Sequence, residues 1–290
     1  MKNICFKICS SILFLFPFCV IAQKENFSDE IKFVQYLNDR EMYKEAIYVL
    51  QNIDKRNISD TQEDTLYYQL GWMLYNMKQL EESVNNLVKV SKQSNYYFKA
   101  RNFAAYILTY LHRTDTAKII YQSIEAQDSL MQEMENFELS GIALLGRNFD
   151  EFNRLRQSFT YSSYVFGNEE KKIEKYYTEI SQYKYKSPFL AGLYSAIIPG
   201  AGKFYVGKKA QGLGSFLPIF SMALLTFEAY RKGGISNARF ITFGSVFTIF
   251  YVGNIWSSVL AVKVANNDFN KEYESKILFD MHIPLRKFFN

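Results

Sequence analysis

Ser187-Pro-Phe-Leu-Ala-Gly-Leu-Tyr-Ser-Ala-Ile-Ile-Pro-Gly-Ala-Gly-Lys-Phe-Tyr-Val-Gly-Lys208 is the stretch on which the reading of the fold turns. Small residues recur four apart at Gly192, Ala196 and Gly200, a spacing that lets helices approach at backbone distance inside lipid. Pro199-Gly200 then breaks the helix, and lipid tolerates such a break only where protein or water takes up the freed backbone groups. Two apolar runs follow, residues 210–230 between Lys209 and Arg231 and residues 240–262 between Arg239 and Lys263. The first, at about 1.5 Å per residue, reaches roughly 31 Å, one hydrocarbon thickness. Neither run contains Asp, Lys or Arg. The pattern predicts a transmembrane helical hairpin preceded by a short re-entrant or interfacial helix over 188–202, which ends at the membrane surface with Lys203, Tyr205, Lys208 and Lys209.

Within the second run Gly253, Ser257, Ala261 and Ala265 form another small-residue stripe, suited to packing within the domain or to a homodimer, with Asn254 beside it to hydrogen-bond across helices. Glu228 is the sole acid of the two runs and lies one turn from the end of the first, within reach of the interface; a proton-relay role is the functional alternative. Gly200-Ala-Gly-Lys203 is too short for a phosphate loop, and Phe204 stands where a Ser or Thr would hold the metal.

The string Pro199-Gly200-Ala-Gly202-Lys203-Phe204-Tyr205-Val-Gly207-Lys208 resembles the two-transmembrane-helix family whose signature is Gly-x-x-x-Phe-Tyr-x-Gly before the first helix. It is similar above all to a bacterial branch, common in Bacteroidetes, that joins exported tetratricopeptide repeats to this domain. The similarity covers residues 187–263 and includes Tyr251-x-Gly253-Asn254. Lys203 replaces the His that many members carry before Phe-Tyr, and no insertion-efficiency-factor domain fits after Lys263. The resemblance implies location and architecture more than activity.

Upstream, residues 161–186 are polar, with Glu169, Glu170, Lys171, Lys172, Glu174 and Lys175 crowded together, and read as a surface-helix stalk. Before it, residues 27–160 repeat one phrase, an apolar helix, a short turn and a second helix with a small residue near its start. That residue steps from Ala46 to Ser83 to Ala117, intervals of 37 and 34 residues, and residues 57–64 supply the extra loop. Gly71 and Ala105 thin the first helices of the second and third copies, because paired helices approach closely only where side-chain bulk is removed. Leu70-Gly71, Leu74 and Ser83 resemble the tetratricopeptide family, with a generic array of helical hairpins as the alternative. Either way the expectation is an all-α solenoid of about four pairs, each leaving an apolar face for the next to cover.

The first residues read as a secretory signal, residues 1–22, with Lys2 and Lys7 ahead of an apolar run too short to span and Val20-Ile21-Ala22 as the cleavage site. Acylation at Cys19 and an uncleaved anchor are the alternatives. Cys5, Cys9 and Cys19 are the only cysteines, so a processed chain has no disulfide, thiol or Cys-zinc chemistry. A net charge of +5, with lysines interleaved among glutamates, gives no single-sign face for nucleic acid.

His112 in a turn and His282 in the tail have no third partner in the sequence and read as solvated. Trp72, Tyr67, Tyr68, Tyr75, Tyr96 and Tyr97 read as repeat core before ligand groove. Glu133, Glu135 and Glu138 read as a solvated helix face. The tail, residues 264–290, alternates in charge and is expected along the membrane surface. These readings converge on a non-enzymatic protein with no cofactor and no metal site. Lipid is one partner, and a protein on the repeat face is the other. Its expected place is the bacterial inner membrane with the repeats in the periplasm. The functional expectation is an envelope scaffold or assembly protein. An accessory factor for membrane-protein insertion or envelope biogenesis is the second reading, and a membrane enzyme or transporter the third.

Overall fold

The computed structural model describes residues 26–126 and 128–289, so the expected signal segment lies outside the described residues. Among the described residues the elements are α-helices and two short 3-10 turns, with no strand. The chain is all-α. Eight helices follow one another as four hairpins: α1 (Phe27–Asp39) and α2 (Tyr43–Asn52), α3 (Asp60–Asn76) and α4 (Leu80–Leu87), α5 (Tyr97–Tyr110) and α6 (Thr114–Gln122), α7 (Ser129–Leu145) and α8 (Phe149–Leu155).

One device turns all four. Glu41, Lys78, His112 and Arg147 each adopt a left-handed backbone with φ near +60°, at intervals of 37, 34 and 35 residues. After each, an amide closes back on the preceding helix: Met42 N–H on Leu37 O, Gln79 on Leu74, Arg113 on Leu108 and Asn148 on Ala143, at 2.8–2.9 Å. This is the double-bonded helix C-cap in which glycine is the usual left-handed residue. Here ordinary side chains occupy it, at roughly 1–2 kcal/mol each, so the repeat is stronger in the backbone than in the sequence.

The chain divides into two compact units, Met1–Ala100 and Arg101–Asn290. In the first, Ile31, Val34 and Leu37 of α1, Ala46 and Leu50 of α2, and Leu66, Leu70 and Met73 of α3 form one buried cluster. The small residues meet between α3 and α4: Ser83 Oγ donates to Gly71 O at 2.7 Å, and a Cβ on Gly71 would stand 2.7 Å from Leu87 Cδ2. Ser59 opens α3 through a reciprocal capping box with Gln62. The extra residues between the first two pairs, read as a loop over 57–64, instead form a 3-10 turn (Lys55–Asn57), and α3 has begun by Asp60.

The second unit holds the rest: α9 (Gly167–Gln182), α10 (Pro188–Ile197), α11 (Ala201–Tyr205), α12 (Lys209–Gly233) and α13 (Ala238–Phe289). α13 runs 52 residues without interruption, about 78 Å at 1.5 Å per residue. Its first part packs on α10 and α12, its last part on α7 and α9. The tail therefore does not lie apart along a surface. Tyr273, Ile277, Met281 and Leu285, spaced as one helix stripe, are buried. Tyr106 OH donates to Leu278 O at 3.2 Å, and His282 stacks on the Tyr106 ring at 5.0 Å rather than facing water. Gly141 of α7 makes room for Met281, whose Cγ would be 2.7 Å from an added Cβ.

The returning helix also changes the stalk. Lys172 Nζ pairs with the buried Asp280 at 2.8 Å, Tyr176 OH donates to the same carboxylate at 2.7 Å, and Lys287 reaches the buried Glu169 at 3.3 Å. What reads in sequence as a free polar helix is a packed one, because its charges have partners on α13. The acidic face of α7 is corrected likewise: Glu138 is fully buried and accepts from Tyr121 OH at 3.1 Å. Burial, opposed by that hydrogen bond, holds its carboxyl well above the usual range.

Glu170, also buried, accepts the Tyr161 N–H at 2.7 Å. Burial, only partly opposed by that bond and reinforced by the charge of Glu133, pushes it from 4.5 to about 7. The folded chain thus holds a proton that the unfolded chain releases, and its stability contribution declines as pH rises from about 4.5 to about 7, then levels. Thermal unfolding of the detergent-solubilised chain should show this decline, and Glu170→Gln should make it shallower; an unchanged slope contradicts the assignment.

Candidate functional site: the broken helix

Ser187 caps α10, its Oγ accepting Leu190 N–H at 3.4 Å, and Pro188 supplies a pre-set φ at the first helical position. The residue before a proline is pushed out of the helical region, and Ile198 is extended (φ −128°, ψ 115°). Gly200 turns left-handed (φ +84°) and opens α11, a five-residue helix. Gly207 (φ +86°) ends it with the same cap as the hairpins, Lys208 N–H on Lys203 O at 2.9 Å. Ser187 N–H donates to Tyr205 OH at 3.2 Å, so α10 starts and α11 ends at one level. The segment folds back on itself.

The break frees backbone groups, and side chains of α10 and α13 take them up. Asn254 Oδ1 accepts Gly200 N–H at 3.0 Å while its Nδ2 donates to Ser195 O at 3.2 Å. Ser195 Oγ accepts Gly202 N–H at 2.9 Å and donates to Ser258 Oγ at 2.7 Å. Tyr251 OH donates to Ala196 O. Ser195, Ser258 and Asn254 are all buried. Glycines set the closeness: a Cβ on Gly202 would overlap Ala191 O, one on Gly200 would overlap Gly212 O, and one on Gly212 would enter the Phe204 ring. Gly192 lies 3.0 Å, measured from its would-be Cβ, from Val259 Cγ2.

The arrangement clasps backbone. It consists of backbone amides and carbonyls, hydroxyls and one carboxamide. The amides a phosphate would need, those of Gly200 and Gly202, are occupied. Among the described residues no three of His, Cys, Asp and Glu gather as a metal site. Glu228 pairs with Lys232 one turn on and makes none of these bonds.

Most of the residues singled out in the sequence meet here. Lys203 Nζ donates to Ser215 Oγ at 2.6 Å, and Tyr205 also receives the Lys186 ammonium 5.0 Å over its ring. On α13 Asn254 and Ser258 are buried together with Ala261 of the expected stripe, while Ser257 bonds its own helix at Asn254 O and a Cβ on Gly253 would meet nothing within 4 Å. Asn254 and Tyr251 claim α10, which fixes the helix rotation and turns Gly253 outward. Ser195 and Ser258 escaped notice in the sequence; their signal is a lone hydroxyl inside an apolar helix. The repeat positions Ala46, Ser83, Ala105 and Ala117 are fully buried, and Gly71 is buried beside Ser83. His112 serves as a left-handed turn residue, its side chain mostly exposed and 3.3 Å from Glu274. Tyr68 and Tyr75 are core, and Tyr68 stacks on Tyr96 at 4.4 Å. Tyr67 donates to Glu63 at 2.7 Å between Lys55 and Lys89.

Compared with known proteins, the chain matches no family model, no curated protein and no solved structure. α12 and α13 are long and apolar enough to cross a membrane, and their most apolar windows are only 11% and 17% buried.

Asn254→Leu removes both bonds of the carboxamide and leaves a buried amide and carbonyl unpaired, a loss of about 1–3 kcal/mol per group. The variant should unfold several degrees lower in detergent and expose residues 198–202 to proteolysis. Wild-type melting with an intact loop contradicts the clasp.

Proposed function

We propose that this chain is a membrane-anchored helical-repeat scaffold or assembly protein of the bacterial envelope, its repeats binding a protein partner. The observation that carries the anchor is the exposure of α12 and the first part of α13. A core helix of a water-soluble fold buries such a surface, whereas Phe227, Ile249 and Trp256 are 60%, 68% and 75% exposed. Burying one such side chain is worth about 1.5–3 kcal/mol, and lipid supplies that burial.

A surface that supports this reading lies on the first unit. There Phe33 and Tyr36 of α1, each half exposed, stack at 6.3 Å, and Arg40 lies 4.6 Å over the Tyr36 ring. Aromatic and arginine side chains are the residue types that dominate binding energy at protein interfaces. A photo-crosslinker at Tyr36 of the membrane-embedded full chain should yield one discrete protein adduct, reduced at least tenfold by Phe33→Ser. Adducts with lipid alone, or none, contradict the partner reading.

In this proposal the repeats face the periplasm, delivered by the leader, and two crossings return α13 to the same side. The lysines gathered near Ser187 pull the other way under the positive-inside rule, so orientation needs its own test. Alkaline phosphatase fused after residue 289 should be active, and fused at residue 234 inactive; the reverse pattern places the repeats in the cytoplasm.

A further inference from the structure

From residue 181 to residue 227 the chain contains no acid and five lysines, Lys184, Lys186, Lys203, Lys208 and Lys209. They belong to the start of α10, the end of α11 and the start of α12. The Ser187–Tyr205 bond holds the first two of these at one level, and Asn266 of α13 joins them by accepting Lys186 N–H at 3.3 Å and donating to Lys186 O at 2.9 Å. Four other lysines of the unit pair closely with carboxylates: Lys172 with Asp280, Lys232 with Glu228, Lys276 with Glu272 and Lys287 with Glu169. Among the described residues none of these five does. Lys203 settles on Ser215, and Lys186 on the Tyr205 ring. Among the described residues this end of the hairpin gathers lysines that make no ion pair with a carboxylate.

Directly below Lys186 an apolar groove of about 350 Å³ is lined by Tyr194, Ile197, Ile198, Ala201 and Tyr205. Tyr205 is its upper end and packs edge-on against Tyr194 at 5.4 Å. Ile197 and Ile198, at the break, are 72% and 55% exposed. Of α10 only Tyr194 and Ile197 line the groove, and Ile198, Ala201 and Tyr205 complete it. An apolar groove whose Tyr205 ring carries the Lys186 ammonium combines the two features that one amphiphile needs.

We propose that the face formed by α10 and α11 is a binding site for an anionic phospholipid, with an acyl chain against Ile197, Ile198 and Ala201 and the phosphate at Lys186, in the field of Lys184, Lys208 and Lys209. The occupant follows from charge complementarity and from the groove's opening on the surface that lipid covers in the membrane reading, on which this proposal rests. A neutral lipid leaves the ammonium unanswered. A second copy of the chain brings five more lysines to the same place.

The test uses the full chain in nanodiscs of phosphatidylcholine with a minor fraction of phosphatidylglycerol, transferred to detergent for native mass spectrometry. Phosphatidylglycerol should be retained in preference to phosphatidylcholine. One lysine near a membrane surface is worth about a fivefold change in affinity, so Lys186→Gln should cut the preference about fivefold, while Arg239→Gln at the other end leaves it intact. Equal retention of the two lipids, a preference unaltered by Lys186→Gln, or a protein dimer that excludes lipid from the groove overturns the site. Stripping of the chain from vesicles by alkaline carbonate sinks the membrane reading itself. A chain that stays in the bilayer without lipid preference sinks only the site.

Discussion

A single uninterrupted helix ties the second unit together. α13 carries an apolar surface along its first part and a mixed stripe along its second, and nothing between them allows a bend: residues 263–270 contain neither glycine nor proline. Most helical stability in proteins comes from packing an apolar face, and both halves of α13 carry one, so both need cover. α10 and α12 cover part of the first half, and α7 and α9 cover the second. The surroundings of the apolar hairpin and the packing of the last repeat are therefore fixed by one rod.

That rod explains why residues that look like surface are core. Glu169, Glu170, Asp280 and Glu138 are acids at almost zero exposure, and each has a hydrogen-bonding or cationic partner that sequence distance hides. Lys172 and Asp280 are 108 residues apart, and Arg147 and Asn270, joined at 3.2 Å, are 123 apart. Buried charges persist only when paired or protonated. The break at Pro199-Gly200 depends on the same helix, since Asn254 and Ser258 supply the polar atoms that make a non-helical backbone tolerable away from water.

Much of the architecture is legible in the sequence, for identifiable reasons. The apolar runs bounded by Lys and Arg, the Pro199-Gly200 break, and the small residues Ala46, Gly71, Ser83 and Ala117 each report a local requirement of length, φ or bulk, and these elements appear where such requirements place them. The long-range partners are not legible. Alternating charge in residues 264–290 masks the stripe Tyr273, Ile277, Met281 and Leu285, which one count at intervals of four would have found. The hairpin turns escape notice because Glu41, Lys78, His112 and Arg147 stand where glycine would have announced a left-handed residue. The clasp was half visible: Asn254 stands out in an apolar helix, but only geometry assigns Gly200 and Ser195 as its partners and turns Gly253 away from them.

The continuity of α13 can be measured directly, because the only native cysteines, Cys5, Cys9 and Cys19, can be replaced by serine without touching it. Spin labels at Ser245 and Lys271, both exposed, lie 26 residues apart on one helix. In the full chain reconstituted with lipid, double electron–electron resonance should give a single narrow distribution centred near ~39 Å, the rise of a straight helix. A broad or markedly shorter distribution would mean a hinge between the apolar hairpin and the docked end, and would contradict the account.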